Sequence, residues 1–109
     1  STPQIKNHTA TLFKGKLYIF GGYDGKKNHC NLRVFDTEKN SWQRSVKPGG
    51  VPPQGRNGHT ATLVSKYPFS IFIFSGNRLY IIGGWLGQGP FAADDMHILD
   101  LQQFKWLNY

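Results

Sequence analysis

Apolar side chains in this 109-residue chain come in short clusters divided by glycine- and asparagine-rich punctuation, a pattern of strands and tight turns. The segments His8 to Phe13, Lys16 to Phe20, Leu32 to Asp36 and Trp42 to Ser45 are rich in Thr, Val, Ile and aromatics, and GK, GGYDGKKN and DTEKNS separate them. A second set reads His59 to Val64, Arg78 to Ile82, Met96 to Asp100 and Phe104 to Leu107. With thirteen Gly and six Pro, a long helix has nowhere to sit. Links this short join antiparallel neighbours only, so each set is predicted to be a four-stranded meander.

The two sets are copies. HTATL at His8 to Leu12 returns at His59 to Leu63, LYIFGG at Leu17 to Gly22 returns as LYIIGG, and Trp42 returns as Trp106. The offset is 51 at the histidines, 62 at Gly22 and Gly84, and 64 at the tryptophans, so the second copy carries eleven extra residues before its glycine pair and two after it. Insertions confined to the gaps mark the matched segments as structural elements and the gaps as loops. The larger insertion, Ser65 to Ser75, is read as an extended loop between the first and second strands. Its apolar run Ile71 to Phe74 is expected to pack on the sheet, pair as an extra strand or meet a partner, the fourth option being that the insertion is not part of the functional protein's usual sequence.

These residues resemble the kelch repeat over nearly the whole chain. The marks are a strand ending in a glycine doublet (Gly21-Gly22, Gly83-Gly84), an aromatic after it (Tyr23, Trp85), an Asn or Asp opening the third strand (Asn31, Asp95) and a Trp at the fourth (Trp42, Trp106). GRNGHTATL at Gly55 to Leu63 is similar to the longer kelch form found in many eukaryotic adaptor and scaffold proteins, while the first copy has Asn7 where the second has a glycine. The resemblance implies an all-β chain: two four-stranded antiparallel blades of a kelch-type β-propeller. The first blade spans 7–46, the link 47–57, and the second blade 58–109 with the inserted loop at 65–75. Two blades leave two flat flanks uncovered and the ring incomplete. The chain is therefore expected to be an excerpt of a larger ring or to self-associate.

Each mark also has a physical reading. A glycine pair at a strand end permits positive φ and close approach of a neighbouring element. A Trp on an outer strand covers the sheet beneath it. His8 and His59 are assigned hydrogen-bonding roles at the blade edge, which makes His8, Gly21, Gly22, Trp42, His59, Gly83, Gly84 and Trp106 structural residues.

Candidate chemistry is sparse. No phosphate loop, nucleophile elbow or Cys-His motif occurs, and the adjacent carboxylates Asp94 and Asp95 point to opposite faces of a strand. His29, Cys30 and His97 lack metal-ligand spacing, so no catalytic residue, metal or cofactor is assigned. One cysteine excludes an internal disulfide framework and favours the cytoplasm or nucleus. No apolar run approaches a membrane span of about 18 to 20 residues. The net charge is +7, with nine Lys and Arg against three acids in residues 1 to 50, yet the basic residues are scattered and the longest cluster is Lys26-Lys27. That spacing argues against nucleic acid.

What remains is loop surface. Chain reversal places the loop between second and third strands on the same face as the inter-blade link, and aromatics flanked by Gly suit contact loops. The partner-binding candidates are Tyr23, Lys26, Lys27, His29, Arg56, Trp85, Gln88 and Phe91. The expected function is a non-catalytic scaffold or adaptor module presenting these loops to a protein or peptide; kelch propellers bind partners similarly. The alternative is a structural part of a kelch-containing enzyme or enzyme accessory whose active site lies in other blades.

Overall fold

The structure, a computed structural model, describes residues 4–44, 46–65 and 77–107. They form two four-stranded antiparallel sheets, each in sequence order, and contain no helix. The first sheet is β1 (Thr9–Phe13), β2 (Lys16–Phe20), β3 (Leu32–Asp36) and β4 (Ser41–Trp42). The second is β5 (Thr60–Ser65), β6 (Asn77–Ile82), β7 (Met96–Asp100) and β8 (Lys105–Trp106). The sheets are not closed into a barrel, and they are the two expected blades.

Turn chemistry sets the reversals. Lys14 and Gly15 both have positive φ (50° and 75°), the conformation a two-residue hairpin needs to match strand twist. Between β3 and β4, Asp36 Oδ1 accepts the Glu38 and Lys39 amides; between β7 and β8, Asp100 Oδ1 accepts those of Gln102 and Gln103. Such Asx turns end in a left-handed residue in each sheet, Asn40 and Phe104. Asn7 is explained the same way. Its φ of 60° matches the 72° of Gly58, its counterpart, and Asn is among the few side chains that tolerate this region.

The predicted strands are present with shifted ends. The first strand of each sheet starts at Thr9 and Thr60 and leaves His8 and His59 outside the ladder. The fourth strands are shorter than Trp42 to Ser45 and Phe104 to Leu107, because Phe104 belongs to the turn and the ladder fades into single bonds, Gln43 N–H to Val34 O and Leu107 N–H to Ile98 O. The expected inserted loop at 65–75, with Ile71 to Phe74, lies outside the described residues except for Ser65, which pairs with Asn77 at the end of β5.

Strand alternation builds the core. Tyr18 and Phe20 of β2 and Leu32 and Val34 of β3 share one face of the first sheet. Leu79, Ile81, Leu99 and Trp106 of the second sheet complete the same apolar cluster, so the core lies between the sheets. The Phe20 ring meets the indole of Trp106 edge-on at 5.5 Å and the imidazole of His59 at 5.3 Å. Each fully buried side chain of this size stabilises the pair of sheets by about 1.5–3 kcal/mol. The opposite face of the first sheet carries the repeat counterparts of the second sheet's buried face, and it is open: Trp42 is 42% exposed against 5% for Trp106.

The glycine doublet admits the second sheet to the first. A Cβ on Gly21 would lie 2.5 Å from His59 Cε1 and 2.8 Å from the Arg56 carbonyl, whose oxygen accepts the Gly22 amide. Any larger residue would drive the sheets apart.

Candidate functional site

Three segments meet at one end of the sheet pair: the loop from β2 to β3, the link from β4 to β5, and the loop from β6 to β7. Between them is a cleft of about 310 Å³. The first loop contributes Tyr23, Lys26, Lys27 and Asn28, the link Gln54 and Gly55, and the second loop Trp85, Leu86 and Gly87.

Each wall is held by its own short-range bonds. Asp24 folds the first loop: its Oδ1 accepts the Lys26 and Lys27 amides at 2.8 Å each, and its Oδ2 meets His29 Nε2 at 2.8 Å. The two amides, then His29, hold the Asp24 carboxyl far below the usual range, so it stays ionised. Tyr23 is fixed by backbone pairing with Lys6 and Asn28. In the second loop the Trp85 indole N–H donates to Gly89 O at 3.0 Å.

Through Asn28 the lining joins a side-chain relay across the junction. Asn7 Nδ2 donates to Asn57 Oδ1 (3.2 Å), Asn57 Nδ2 to Asn28 Oδ1 (2.6 Å), and Asn28 Nδ2 to Trp85 O (3.4 Å). Asn57 and Trp85 also exchange backbone bonds of 3.1 and 2.8 Å. Gly55 is required here, since a Cβ would fall 2.5 Å from Asn28 O. The cleft is thus formed in advance of any ligand, which lowers the ordering cost of binding.

Next to Asn57 in the link is a buried arginine. Arg56 is 0% exposed, and its guanidinium donates to Gln54 O (3.1 Å), Gly83 O (2.9 Å) and Asp95 Oδ2 (2.8 Å). His97 Nε2 lies 3.1 Å from the same oxygen. Burial raises the Asp95 carboxyl, but the hydrogen bonds from Arg56 and His97 outweigh it and leave its pKa lowered. Arg56 was expected at the contact surface and is instead enclosed, its guanidinium taken up by the link at Gln54 and by Gly83 and Asp95 at the two ends of the loop from β6 to β7. On the other side of the junction, His59 Nε2 is 2.9 Å from the Thr9 hydroxyl. Burial, and after it the Arg56 charge, press the His59 imidazole down to about 4, so it is neutral at physiological pH.

The chain matches the KLHDC2/KLHL20/DRC7 Kelch-repeats domain over residues 1–109. It belongs to the kelch-repeat family. Kelch domain-containing protein 1 of Homo sapiens is 27% identical over 87% of this chain. Acyl-CoA-binding domain-containing protein 5 of Arabidopsis thaliana is 32% identical over 90%, and Rho GTPase-activating protein gacHH of Dictyostelium discoideum 30% identical over 95%. The kelch chain spans 26%, 13% and 6% of these relatives' own lengths.

The other expected residues divide by position. Tyr23, Lys26, Lys27 and Trp85 come together in the cleft of this kelch pair. His29 sits behind it, its side chain 11% exposed and paired with Asp24. Gln88 and Phe91 are exposed beyond the lining. Of the two histidines, His59 bridges the sheets and His8 is exposed. Asn28, Asn57 and Asp95 carry much of the site's architecture and were not among the candidates. For Asp95 a signal was present: the first copy has Ile5 and Asn31 where the second has Arg56 and Asp95, a joint exchange of cation and anion. For the asparagines no spacing distinguishes them from turn residues. Among the described residues no three His, Cys, Asp or Glu side chains gather to hold a metal.

Proposed function

We propose that this chain is a non-catalytic interaction module of a scaffold or adaptor protein, and that its cleft takes a peptide segment of a partner. Kelch repeats are generally protein-interaction modules and typically non-catalytic. The observation that carries the finer reading is the convergence of three sequence-distant loops on one preformed concavity with an aromatic on each side. Large rigid rings give contact area at low entropic cost, and fixed walls keep that gain. Tyr23 and Trp85 are the anchors, Lys26 and Lys27 the polar contacts, and Gln88 and Phe91 extend the same loop toward a larger partner. The open face of the first sheet takes a further blade or a second copy of the chain, since its residues are counterparts of those already buried.

Selection of displayed random peptides against the chain tests the module. A shared motif, lost when Trp85→Ala or Tyr23→Ala is the bait and kept with Phe13→Ala, supports it. Motifs that survive both cleft substitutions would place the partner elsewhere. A second reading, structural support within an enzyme or accessory, draws on two relatives named for acyl-CoA binding and Rho GTPase activation, of which the chain spans a small part.

A further inference from the structure

From the charge balance of the cleft we infer that its ligand is an acidic peptide, an extended segment with neighbouring Asp or Glu side chains; this rests on the peptide-binding reading above. Lys26 and Lys27 both line the cleft, and among the described residues neither is paired with a carboxylate. Asp24, the acid nearest in sequence, is committed: one oxygen holds two backbone amides and the other holds His29. It folds the loop that displays the lysines.

The rest of the lining supplies no countercharge. Asn28 spends its amide oxygen on Asn57 and its amide nitrogen on Trp85, so it is bound on both sides. Gly55 and Gly87 bring only backbone, and the Trp85 indole N–H is held by Gly89. The lining therefore combines two lysines with two aromatic residues. A Glu side chain suits both, because its methylenes lie on an indole or phenol ring while its carboxylate reaches an ammonium group. Lysine is a compact donor without arginine's planar fork, which suits mobile carboxylates at the cleft mouth. The link between charge and position is specific to the first copy: the second has Gly87 and Gln88 soon after Trp85 and no lysine in its loop.

The test is fluorescence anisotropy at two salt concentrations with three labelled probes: an eight-residue peptide of alternating Glu and Tyr, the same peptide with Gln for Glu, and an eight-nucleotide single-stranded RNA. The Glu probe is expected to bind about tenfold tighter than the Gln probe at low salt, with the gap narrowing as salt rises. The variant K26E/K27E should lose that advantage and keep the wild-type thermal unfolding midpoint. Equal binding of the Glu and Gln probes, both lost with Trp85→Ala, would overturn the acidic ligand and leave the peptide site standing. Tighter binding of the RNA, or no saturable binding of the Glu probe, would also overturn it; the library selection then judges the peptide site separately.

Discussion

Replacing Arg56 and Asp95 with the residues of the first copy should show that the ion pair of a buried arginine organises the second sheet. In the wild type a guanidinium with no exposure makes three hydrogen bonds, one of them to Asp95. Arg56→Ile strips donors from the carbonyls of Gln54 and Gly83 and leaves Asp95 with His97 alone, a loss of about 3 kcal/mol. Asp95→Asn leaves the enclosed cation without its counterion. Because the Asp95 side chain is 40% exposed, solvent screens the pair, and the cost is about 1–2 kcal/mol. The double variant recreates the Ile5 and Asn31 combination that the first sheet already uses. It should cost about 3 kcal/mol, against the larger sum of the singles, which is a coupling of about 1–2 kcal/mol. Urea unfolding followed by circular dichroism measures this, provided the denaturant slope is constant across the four proteins. Additivity within about 0.5 kcal/mol would refute the coupling and reduce the pair to an incidental contact.

Gly21→Ala and Gly25→Ala separate backbone strain from crowding. Both have positive φ, but only Gly21 faces neighbours, so Gly25→Ala should cost about 1–2 kcal/mol and Gly21→Ala at least about 2 kcal/mol more, read from thermal midpoints. Stability should fall with acid through His59. Its folded pKa of about 4 is below the ordinary value, so the unfolded chain takes up the proton first, and stability is lost as pH drops from about 6.5 toward 4. At pH 5 this amounts to at most about 2 kcal/mol, and His59→Gln should flatten that part of the pH profile. Trp106→Ala should cost about 3–5 kcal/mol in urea titrations, and Trp42→Ala less than half of that, because only Trp106 is covered by the neighbouring sheet.

The strands were legible because turn chemistry and duplication point the same way. Two copies of a glycine doublet and of an Asp-led turn locate eight strands to within a few residues, and the faces follow from period-two alternation. Strand ends were not legible, since they depend on which residue carries the left-handed turn: Phe104 looks like a strand residue and is not one. The cleft was half legible. Topology alone puts the aromatic loops and the link at one end, and Tyr23, Lys26, Lys27 and Trp85 do meet there. Arg56 misled because a lone Arg among Gly and Asn reads as surface. Its burial depends on Asp95 and on the Gly83 carbonyl, 39 and 27 residues onward, contacts that no local pattern reports. Only the comparison of Arg56 and Asp95 with Ile5 and Asn31 carries that information.

The link between the sheets does more than connect them. Before reaching β5 it runs alongside β8, where Gly49 receives the Trp106 amide at 2.8 Å and donates its own to Phe104 at 3.0 Å. At the other rim Thr9 and His59 hold the sheets together near β1 and β5. A force that pulls the units apart must therefore open two seams, and the outer one is made by the very segment that transmits the load. The connector grips the last strand of the sheet whose first strand it enters, so tension would be shared over the rim rather than concentrated at a hinge.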